Sequence, residues 1–292
     1  MNDRIYGGIE AGGTKFICAV GTSPDNIASH IQIPTTTPTE TLDSVISFFK
    51  GQSNLAAIGI GSFGPLDLNK DSPSYGHITN TPKPGWSNTD IVGAITGSLN
   101  IPVEINSDVN CAVLGEQLYG AGQGLSNVAY MTVGTGIGIG DIVDGHFPSG
   151  LTHTEMGHMM IPNDDPEIKS ACPFHANCLE GLASGFALQK RFSKPVKDIT
   201  DNNAWAIEAR YLAYGVANTI VSLMPNKIIV GGGVMNHENL LASVRAEVIK
   251  ILNGYPELPE ITQEIDSYIV APSLGTLSGV TGALSLAYQH IS

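Results

Sequence analysis

The fold is decided by the stretch Gly8-Ile9-Glu10-Ala11-Gly12-Gly13-Thr14-Lys15, which places a glycine turn between two apolar segments. Residues 5–10 before the turn and 16–20 after it are typical of β-strands, so the stretch predicts a hairpin with an enlarged turn. Glycine N–H groups can approach an anion closely because no Cβ blocks them, and Thr14 and Lys15 add a hydroxyl and a cation. A tight hairpin that needs glycine only for its geometry would have the same sequence, so both interpretations stay open for this loop alone.

Two further glycine turns follow predicted strands. Residues 128–133 lead into Gly134-Thr135-Gly136-Ile137-Gly138, and residues 227–230 lead into Gly231-Gly232-Gly233-Val234. Three such turns are more typical of a nucleotide clamp than of three independent hairpins. Because the order strand, glycine turn, strand recurs, the sequence also predicts two lobes of similar topology.

Polar residues follow two more predicted strands in the N-terminal half. Residues 56–61 run into Ser62-Phe63-Gly64-Pro65, and residues 103–105 run into Asn106-Ser107-Asp108. Ligands of open α/β sheets usually bind at the carboxyl ends of strands, so both loops are predicted to contribute to a site. Helices are predicted for residues 39–50, 110–119, 205–223 and 276–288.

Composition and charge narrow the class of protein. A chain of 292 residues with 42% hydrophobic and 14% charged residues is expected to fold throughout, as two domains of ordinary size. Its formal net charge of −13 would repel a phosphate backbone, so no nucleic-acid partner is expected. The first apolar run is interrupted by Glu10 and Lys15, so no secretory signal is expected. No stretch is both long enough and apolar enough to span a bilayer. A cytoplasmic protein with no membrane partner is therefore expected.

Asp108 is the candidate general base. It follows a predicted strand and precedes a predicted helix, where a phosphoryl-transfer enzyme would place a carboxylate against the attacking hydroxyl. An aspartate in this position is also a typical helix N-cap, and the local sequence alone favours that interpretation. Asn80 and Thr81, which precede a proline-rich loop, are candidates for lining a sugar site.

Cysteine and histidine residues form a second chemical signal. Cys172, His175 and Cys178 lie within one short loop, and with His158 they supply the two thiolates and two imidazoles of a closed tetrahedral zinc site. His153 is a competing imidazole, and buried cysteines with surface histidines and no metal are the alternative. Four protein ligands leave no open coordination position, so the zinc is expected to be structural.

The order and spacing of the three glycine motifs resemble those of the ROK family of sugar kinases and repressors, over essentially the whole chain. The resemblance implies an α/β fold with two lobes of the actin and hexokinase ATPase type, ribonuclease-H-like repeats and an inserted zinc loop. It implies an N-terminal lobe of residues 1–107 plus 280–292 and a C-terminal lobe of residues 108–279. The implied ATP and phosphate contacts are Gly12, Gly13, Thr14, Lys15, Gly134, Thr135, Gly136, Gly231, Gly232 and Gly233.

The same resemblance implies roles at the sugar and metal sites. Asp108 becomes the base rather than a cap, and Ser107 stands where the family usually has asparagine. Glu10 stands where many members have aspartate, which makes it the candidate magnesium ligand. The family's zinc loop more often carries three cysteines, and His175 in place of one resembles the fructokinase branch. The implied sugar contacts are Gly64, Asn80, Thr81, Ser107, Asp108, Glu155, His158 and Glu180.

The resemblance therefore implies an ATP-dependent sugar kinase that phosphorylates a hexose at its 6-hydroxyl, with Mg²⁺ accompanying ATP. D-Fructose, giving D-fructose 6-phosphate, is the first choice of substrate, because the opening motif and the Cys-Pro-Phe-His loop resemble the fructokinase branch. Glucose, mannose and N-acetylmannosamine are the alternatives. Dimers are the common oligomers of such folds, so a homodimer is expected.

Two functions of other classes are weighed against the kinase. A sugar-binding regulator without turnover is one, but the family's repressors carry a helix-turn-helix segment before the first phosphate loop, and the residues before Gly8 leave no room for it. A dinucleotide-dependent dehydrogenase is the other. The glycine turn lies in a hairpin and does not open a helix, which argues against a dinucleotide fingerprint and, with its spacing, against a Walker loop.

Overall fold

In the computed structural model, which describes residues 4–148, 150–163 and 165–291, the opening stretch forms the predicted hairpin. Strand β1 (Ile5–Ala11) pairs antiparallel with β2 (Lys15–Ser23). The first sheet has the order β3-β2-β1-β4-β7, with β3 at Asn26–Pro34, β4 at Leu55–Ser62 and β7 at Val103–Ser107. Strands β1, β4 and β7 run parallel to one another, so the hairpin belongs to a mixed sheet.

Contacts between Cα atoms divide the described residues into two compact units. The first unit runs to Gln123 and is completed by Phe147–His153 and by the C-terminal segment from Thr276. The second unit consists of Gly124–His146 and Thr154–Gly275. The predicted lobe boundary lies at Asp108, whereas the contacts keep residues 108–123 in the first unit. The reason is that the helix beginning at Asp108 packs on β4 and on the C-terminal helix.

The first unit has helices on both faces of its sheet. These helices are α1 (Pro38–Lys50), α2 (Ile91–Leu99), α3 (Asp108–Tyr119) and α10 (Ser278–Ile291), and a short hairpin pairs β5 (His77–Ile78) with β6 (Thr89–Asp90). One face of the sheet, with Ile9 and Phe16, shares an apolar core with α1 and α2. The opposite face, with Ile17 and Ala19, shares a second core with α10. The central strands β1, β2 and β4 are therefore buried on both faces, whereas the edge strand β3 is largely exposed.

Glycine allows α3, α10 and β4 to approach one another closely. A Cβ at Gly282 of α10 would overlap the carbonyl oxygen of Cys111 on α3, and a Cβ at Gly59 of β4 would overlap the carbonyl oxygen of Ala283. Both obstacles are backbone atoms, so no side-chain rotation would relieve the overlap. Because Gly59 and Gly282 have no side chains, the backbones pack closely, and this packing fixes the position of α3 and of the residues at its start relative to the sheet.

The second unit repeats the strand order of the first. Strand β8 (Val128–Val133) pairs antiparallel with β9 (Ile137–Ile142) and parallel with β10 (Lys227–Gly231), and β10 pairs parallel with β11 (Ile269–Val270). The resulting order β9-β8-β10-β11 matches β2-β1-β4-β7 of the first unit in sequence and direction. The strand and glycine-turn pattern at residues 128–140 therefore forms a second hairpin of the same kind.

Helices of the second unit surround one apolar core. They are α4 (Leu179–Ala183), α5 (Gly185–Phe192), α6 (Asn202–Leu223), α7 (Leu240–Leu252), α8 (Pro259–Thr262) and α9 (Ile265–Tyr268). Helix α6 packs on α7 and α4, and Gly215 of α6 leaves the space that Leu179 of α4 fills. In the described part of the chain, no helix combines the length and the apolar character needed to cross a membrane.

Replacing Gly282 by alanine tests the close packing of α3 and α10. The added methyl group would force two backbones apart, so Gly282→Ala is expected to lower the free energy of unfolding by about 2–3 kcal/mol. Gly97→Ala is the matched control, because Gly97 is exposed within α2 and a new Cβ there would have no atom of the described chain within 4 Å. It is expected to be neutral or to stabilise by up to about 1 kcal/mol. Urea unfolding measures both, and a Gly282→Ala variant as stable as Gly97→Ala would contradict this account.

Candidate active site

The carboxyl ends of β1, β4 and β7 meet at one edge of the first sheet. Ala11 is the register partner of Ser62, and Ser62 is the register partner of Ser107. The glycine turn after β1, the loop after β4 and the start of α3 therefore leave the sheet side by side. The Phe63 N–H donates to the Ala11 carbonyl at 2.8 Å and so joins the first two of these segments.

Asp108 is the first residue of α3, but the cap of this helix is the residue before it. Ser107 Oγ accepts the Asn110 N–H at 3.2 Å, which is the N-cap hydrogen bond. Asn106 Oδ1 accepts the Ser107 N–H at 2.8 Å and the Asn110 side-chain amide at 2.9 Å. Asp108 is partly exposed, and its Oδ1 accepts the Val109 N–H at 2.8 Å. The alternative that Asp108 serves as the cap is thus wrong, since Ser107 fills that role.

Glu10 carries a carboxyl oxygen that is buried at the N-terminus of α10. The carboxyl group accepts the Val280 N–H, while Oε2 has no hydrogen-bond partner among the described residues. A Cβ at Gly279 would lie 2.7 Å from this oxygen, so glycine makes the room for it. Burial, reinforced by the negative charge of Asp108, raises the pKa of Glu10 to about 7, although the Lys15 cation and the Val280 N–H oppose the rise. The candidate magnesium ligand is therefore a carboxyl group that titrates near neutral pH.

Hydrogen bonds at Gly12 hold the turn between β1 and β2, and the turn is open at Gly13. The Gly12 N–H donates to the Lys15 carbonyl at 3.0 Å, and Thr35 Oγ1 donates to the Gly12 carbonyl at 2.7 Å. No atom of the described residues lies within 4 Å of the position that a Gly13 Cβ would take, and Thr14 and Lys15 are exposed. Open glycine backbone beside a hydroxyl and a cation is suited to bind a phosphate group.

His153 holds the loop that follows β4. Its Nε2 accepts the Leu66 N–H at 3.3 Å, and Thr152 Oγ1 donates to the Leu66 carbonyl at 3.4 Å. A Cβ at Gly64 would lie 3.5 Å from the same Nε2 atom. His153 belongs to the first unit and is not a member of the cysteine and histidine cluster of the second. Of the two candidate histidines, His158 is therefore the one that belongs to the cluster.

Asn80 and Thr81 follow Thr79, which is hydrogen-bonded to the same loop. The Thr79 N–H donates to the Pro65 carbonyl at 2.8 Å, which brings this segment to the Gly64 loop. Asn80 is exposed, whereas Thr81 is buried and its Oγ1 accepts the Lys83 N–H at 3.4 Å. Of the two candidates, Asn80 presents its side chain to solvent.

The second glycine turn lies between β8 and β9 and rests on the start of α5. The Gly134 N–H donates to the Gly136 carbonyl at 2.9 Å, and the Gly134 carbonyl accepts the Gly185 N–H at 2.8 Å. The third glycine motif lies next to it, because Gly231 is the register partner of Thr132. Gly232 has a φ of +98°, and a Cβ there would overlap the backbone of Val133, so only glycine fits.

Glu180 on α4 contacts both the second glycine turn and His158. Its Oε2 accepts the Ile137 N–H at 3.0 Å, and a Cβ at Gly136 would lie 2.5 Å from the same oxygen. Its Oε1 lies 3.8 Å from His158 Nε2. Glu155, the other predicted carboxylate of this unit, is exposed at the start of the turn Met156–His158, where its carbonyl accepts the His158 N–H at 2.9 Å.

Cys172, His175, Cys178 and His158 form the cluster that the sequence predicts. One donor atom from each residue lies within 4.8 Å of those from the others. Sγ of Cys178 and Nδ1 of His158 are 3.5 Å apart, and Sγ of Cys172 is 3.5 Å from Nδ1 of His175 and 3.9 Å from Nδ1 of His158. Ligand distances of a tetrahedral zinc ion require about 3.5 Å between sulfur and nitrogen, so this donor set fits zinc. Burial raises the pKa of the Cys178 thiol to about 11, and a bound dication would favour the thiolate.

Among the described residues, Cys18 and Cys111 belong to no such cluster. Both are free and buried, and burial raises the pKa of Cys18 to about 12. Trp86 is fully buried and its Nε1 donates to the Thr36 carbonyl at 2.9 Å, so it packs the core as expected.

Comparison with known proteins now assigns the family. The model of the ROK family matches residues 6–290. The chain belongs to the ROK family. Relatives named fructokinase match over nearly the full length of the chain: the fructokinase of Pediococcus pentosaceus is 46% identical over 97% of both chains. The fructokinase of Zymomonas mobilis is 43% identical over 98% of this chain and 97% of its own.

A solved ROK-family structure shares the fold. The glucokinase of Streptomyces griseus, determined in complex with glucose and AMPPNP, superposes with a TM-score of 0.80 at 25% identity. The alignment covers 98% of this chain and 99% of that one. The mixed α/β sheets described above are therefore those of a ROK-family sugar kinase fold.

The raised pKa of Glu10 predicts how its replacement acts at different pH values. The pKa of this carboxyl group is 4.5 in the unfolded chain and about 7 in the folded chain. The folded wild type therefore loses stability as the pH rises from 4.5 to 7, because ionisation is more costly in the folded chain. Glutamine cannot ionise. The free energy of unfolding of Glu10→Gln minus that of the wild type is therefore expected to increase from pH 5 to pH 8, by up to about 3 kcal/mol.

Urea unfolding at the two pH values measures this gain. Glu257→Gln, which changes an exposed glutamate, serves as the control. A difference between Glu10→Gln and the wild type that is the same at pH 5 and pH 8 would contradict the burial of a titrating Glu10.

Proposed function

We propose that this protein transfers the γ-phosphoryl group of ATP to the 6-hydroxyl of D-fructose. The observation that carries the proposal is the identity of 43–46% to the fructokinases named above, over nearly the whole of each chain. The placement of the predicted residues at strand ends supports it. The products are ADP and D-fructose 6-phosphate, so the protein acts as an ATP:sugar phosphotransferase.

Asp108 acts as the general base. The carboxylate accepts the proton of the 6-hydroxyl as the oxygen forms its bond to the γ-phosphorus and the bond to the leaving oxygen of ADP breaks. Ser107 caps α3, so the helix start stays ordered while Asp108 exchanges its proton. Gly64 and Asn80 contact the sugar from neighbouring loops, and Ser107 supplies at most a minor contact because it is buried and engaged as the cap.

The glycine turns bind the nucleotide. Gly13 offers open backbone, and Thr14 and Lys15 add a hydroxyl and a cation to neutralise phosphate charge, while Gly12 closes the turn through its N–H on the Lys15 carbonyl. In the second unit, the turn Gly134–Gly136 binds phosphate and Gly231–Gly233 binds the adenosine moiety. Glu155, His158 and Glu180 contribute sugar contacts from the same unit.

Two metals accompany the reaction. Magnesium would neutralise charge on the ATP phosphates, and Glu10 is the carboxyl group of the first unit that would hold it, directly or through water. Zinc would be held by the closed donor set His158, Cys172, His175 and Cys178, and it would stabilise the start of α4, the helix that carries Glu180. The finer fold assignment, two actin-like and hexokinase-like ATPase lobes with an inserted zinc loop, is part of this proposal, and so is a homodimer.

Replacing Asp108 by asparagine tests the assignment of the base. Asparagine keeps the size of the side chain but cannot accept the proton, so kcat is expected to fall by about 10²–10⁴-fold while fructose affinity changes little. Asp90→Asn is the matched control, because Asp90 caps α2 in the same unit and is expected to leave turnover intact. Coupled ADP-release kinetics measure kcat, and near-normal turnover of Asp108→Asn would overturn the assignment.

The substrate is tested separately, by ADP release with fructose, glucose, mannose and N-acetylmannosamine. The highest kcat/KM is expected with fructose. Sugar binding without ADP release from any of the four would instead support the non-catalytic regulator.

The zinc site is tested with two replacements of His175. His175→Ala is expected to lose zinc, lower Tm and raise the KM for fructose, because the start of α4, the helix that carries Glu180, loses its anchor. His175→Cys keeps four suitable ligands and is expected to retain one zinc ion per chain. Metal content is measured by mass spectrometry. A metal-free preparation with full fructose affinity and unchanged Tm would contradict a structural zinc.

A further inference from the structure

Glu180 makes a contact that a sugar ligand alone does not explain. It follows the N-cap Cys178 of α4 by two residues, and the Cys178 Sγ accepts the Gly181 N–H at 3.3 Å. The backbone of α4 is further held by the Leu179 N–H, which donates to the Met159 carbonyl at 2.9 Å. The Glu180 side chain therefore starts from a point fixed by the predicted metal cluster.

One oxygen of this carboxylate reaches the second glycine turn. Glu180 Oε2 accepts the N–H of Ile137, the first residue of β9, at 3.0 Å. The approach depends on Gly136, where a Cβ would lie 2.5 Å from the same oxygen. The turn is thus anchored at both ends, by the Gly185 N–H on the Gly134 carbonyl and by the Glu180 carboxylate on the Ile137 N–H.

The other oxygen faces the cluster through a histidine. Glu180 Oε1 lies 3.8 Å from Nε2 of His158, whose Nδ1 is 3.5 Å from the Sγ of Cys178. A metal on Nδ1 leaves the imidazole proton on Nε2, which then points a donor at the carboxylate. A continuous series of contacts therefore links the metal ligands to the glycine turn.

We propose that Glu180 is a positioning residue for the second phosphate loop, through which the metal cluster sets the affinity for the nucleotide. This inference rests on the proposed function, in which Gly134–Gly136 binds phosphate. It differs from the sugar-contact role of Glu180 in one measurable respect. A residue that only contacts the sugar has no effect on nucleotide binding when sugar is absent, whereas a residue that holds the loop does.

The test is isothermal titration calorimetry with AMPPNP and Mg²⁺ in the absence of sugar, on the zinc-loaded full chain. Glu180→Asp shortens the side chain by one methylene group and loses the hydrogen bond to the Ile137 N–H, so Kd is expected to rise about tenfold. Glu180→Gln keeps an acceptor oxygen at full reach and is expected to bind within about threefold of the wild type. Glu257→Asp, an exposed change in the same unit, is the matched control.

Hydrogen exchange of a peptide that contains Ile137 provides a second readout independent of turnover. Exchange at the Ile137 amide is expected to accelerate in Glu180→Asp and to stay slow in Glu180→Gln. Removing zinc from the wild type is expected to raise the Kd for AMPPNP, and by a smaller factor in Glu180→Gln, whose uncharged side chain no longer pairs with His158. Tm and zinc content of each variant show that the fold is intact.

Unchanged nucleotide affinity and unchanged exchange in Glu180→Asp would overturn the inference. If that variant lost only fructose affinity, Glu180 would have a sugar-contact role alone. Failure of the proposed function has a different signature. In that case the wild type would not phosphorylate fructose, while the calorimetry and exchange data would still decide whether Glu180 holds the loop.

Discussion

Parallel pairing in register is the constraint on which the predicted site residues of both units depend. Because Ala11, Ser62 and Ser107 are register partners, three segments that are distant in sequence leave the first sheet at one edge. The second sheet does the same with Thr132 and Gly231. A slip of one residue would exchange the two faces of a strand. It would therefore disrupt both buried cores of the first unit as well as the alignment of its loops.

Glycine has a second role beyond the turns, which is to admit acidic side chains to the backbone. Gly279 leaves room for the carboxyl group of Glu10 at the start of α10, and Gly136 leaves room for that of Glu180 at the second turn. Each carboxyl group accepts a backbone N–H, Glu10 that of Val280 and Glu180 that of Ile137, and the Lys15 cation also favours the ionised form of Glu10. In a chain with a formal net charge of −13, backbone N–H groups thus supply part of the stabilisation of these two acidic groups.

The sequence predicted what depends on local pattern. Both hairpins, the strands that end in polar loops and the cluster around Cys172 follow from periodicity, glycine position and ligand spacing, and the structure places them as expected. Contacts between distant segments were not predictable in this way. The hydrogen bond of His153 to Leu66 joins residues 87 positions apart, and that of Glu180 to Ile137 joins residues 43 apart. The capping role of Ser107 was missed because Asp108 beside it is an equally good cap by composition.

The place of α10 in the first unit has a consequence for how the chain is made. Strands β1 and β4 begin at Ile5 and Leu55 and are synthesised early, but the face that carries Gly8 and Gly59 is covered by α10, which begins only at Ser278. This face of the sheet is therefore not covered by α10 during most of translation. The first unit therefore completes its core only when the last helix arrives, and a nascent chain stopped before α10 exposes apolar strand surface that chaperones and proteases recognise.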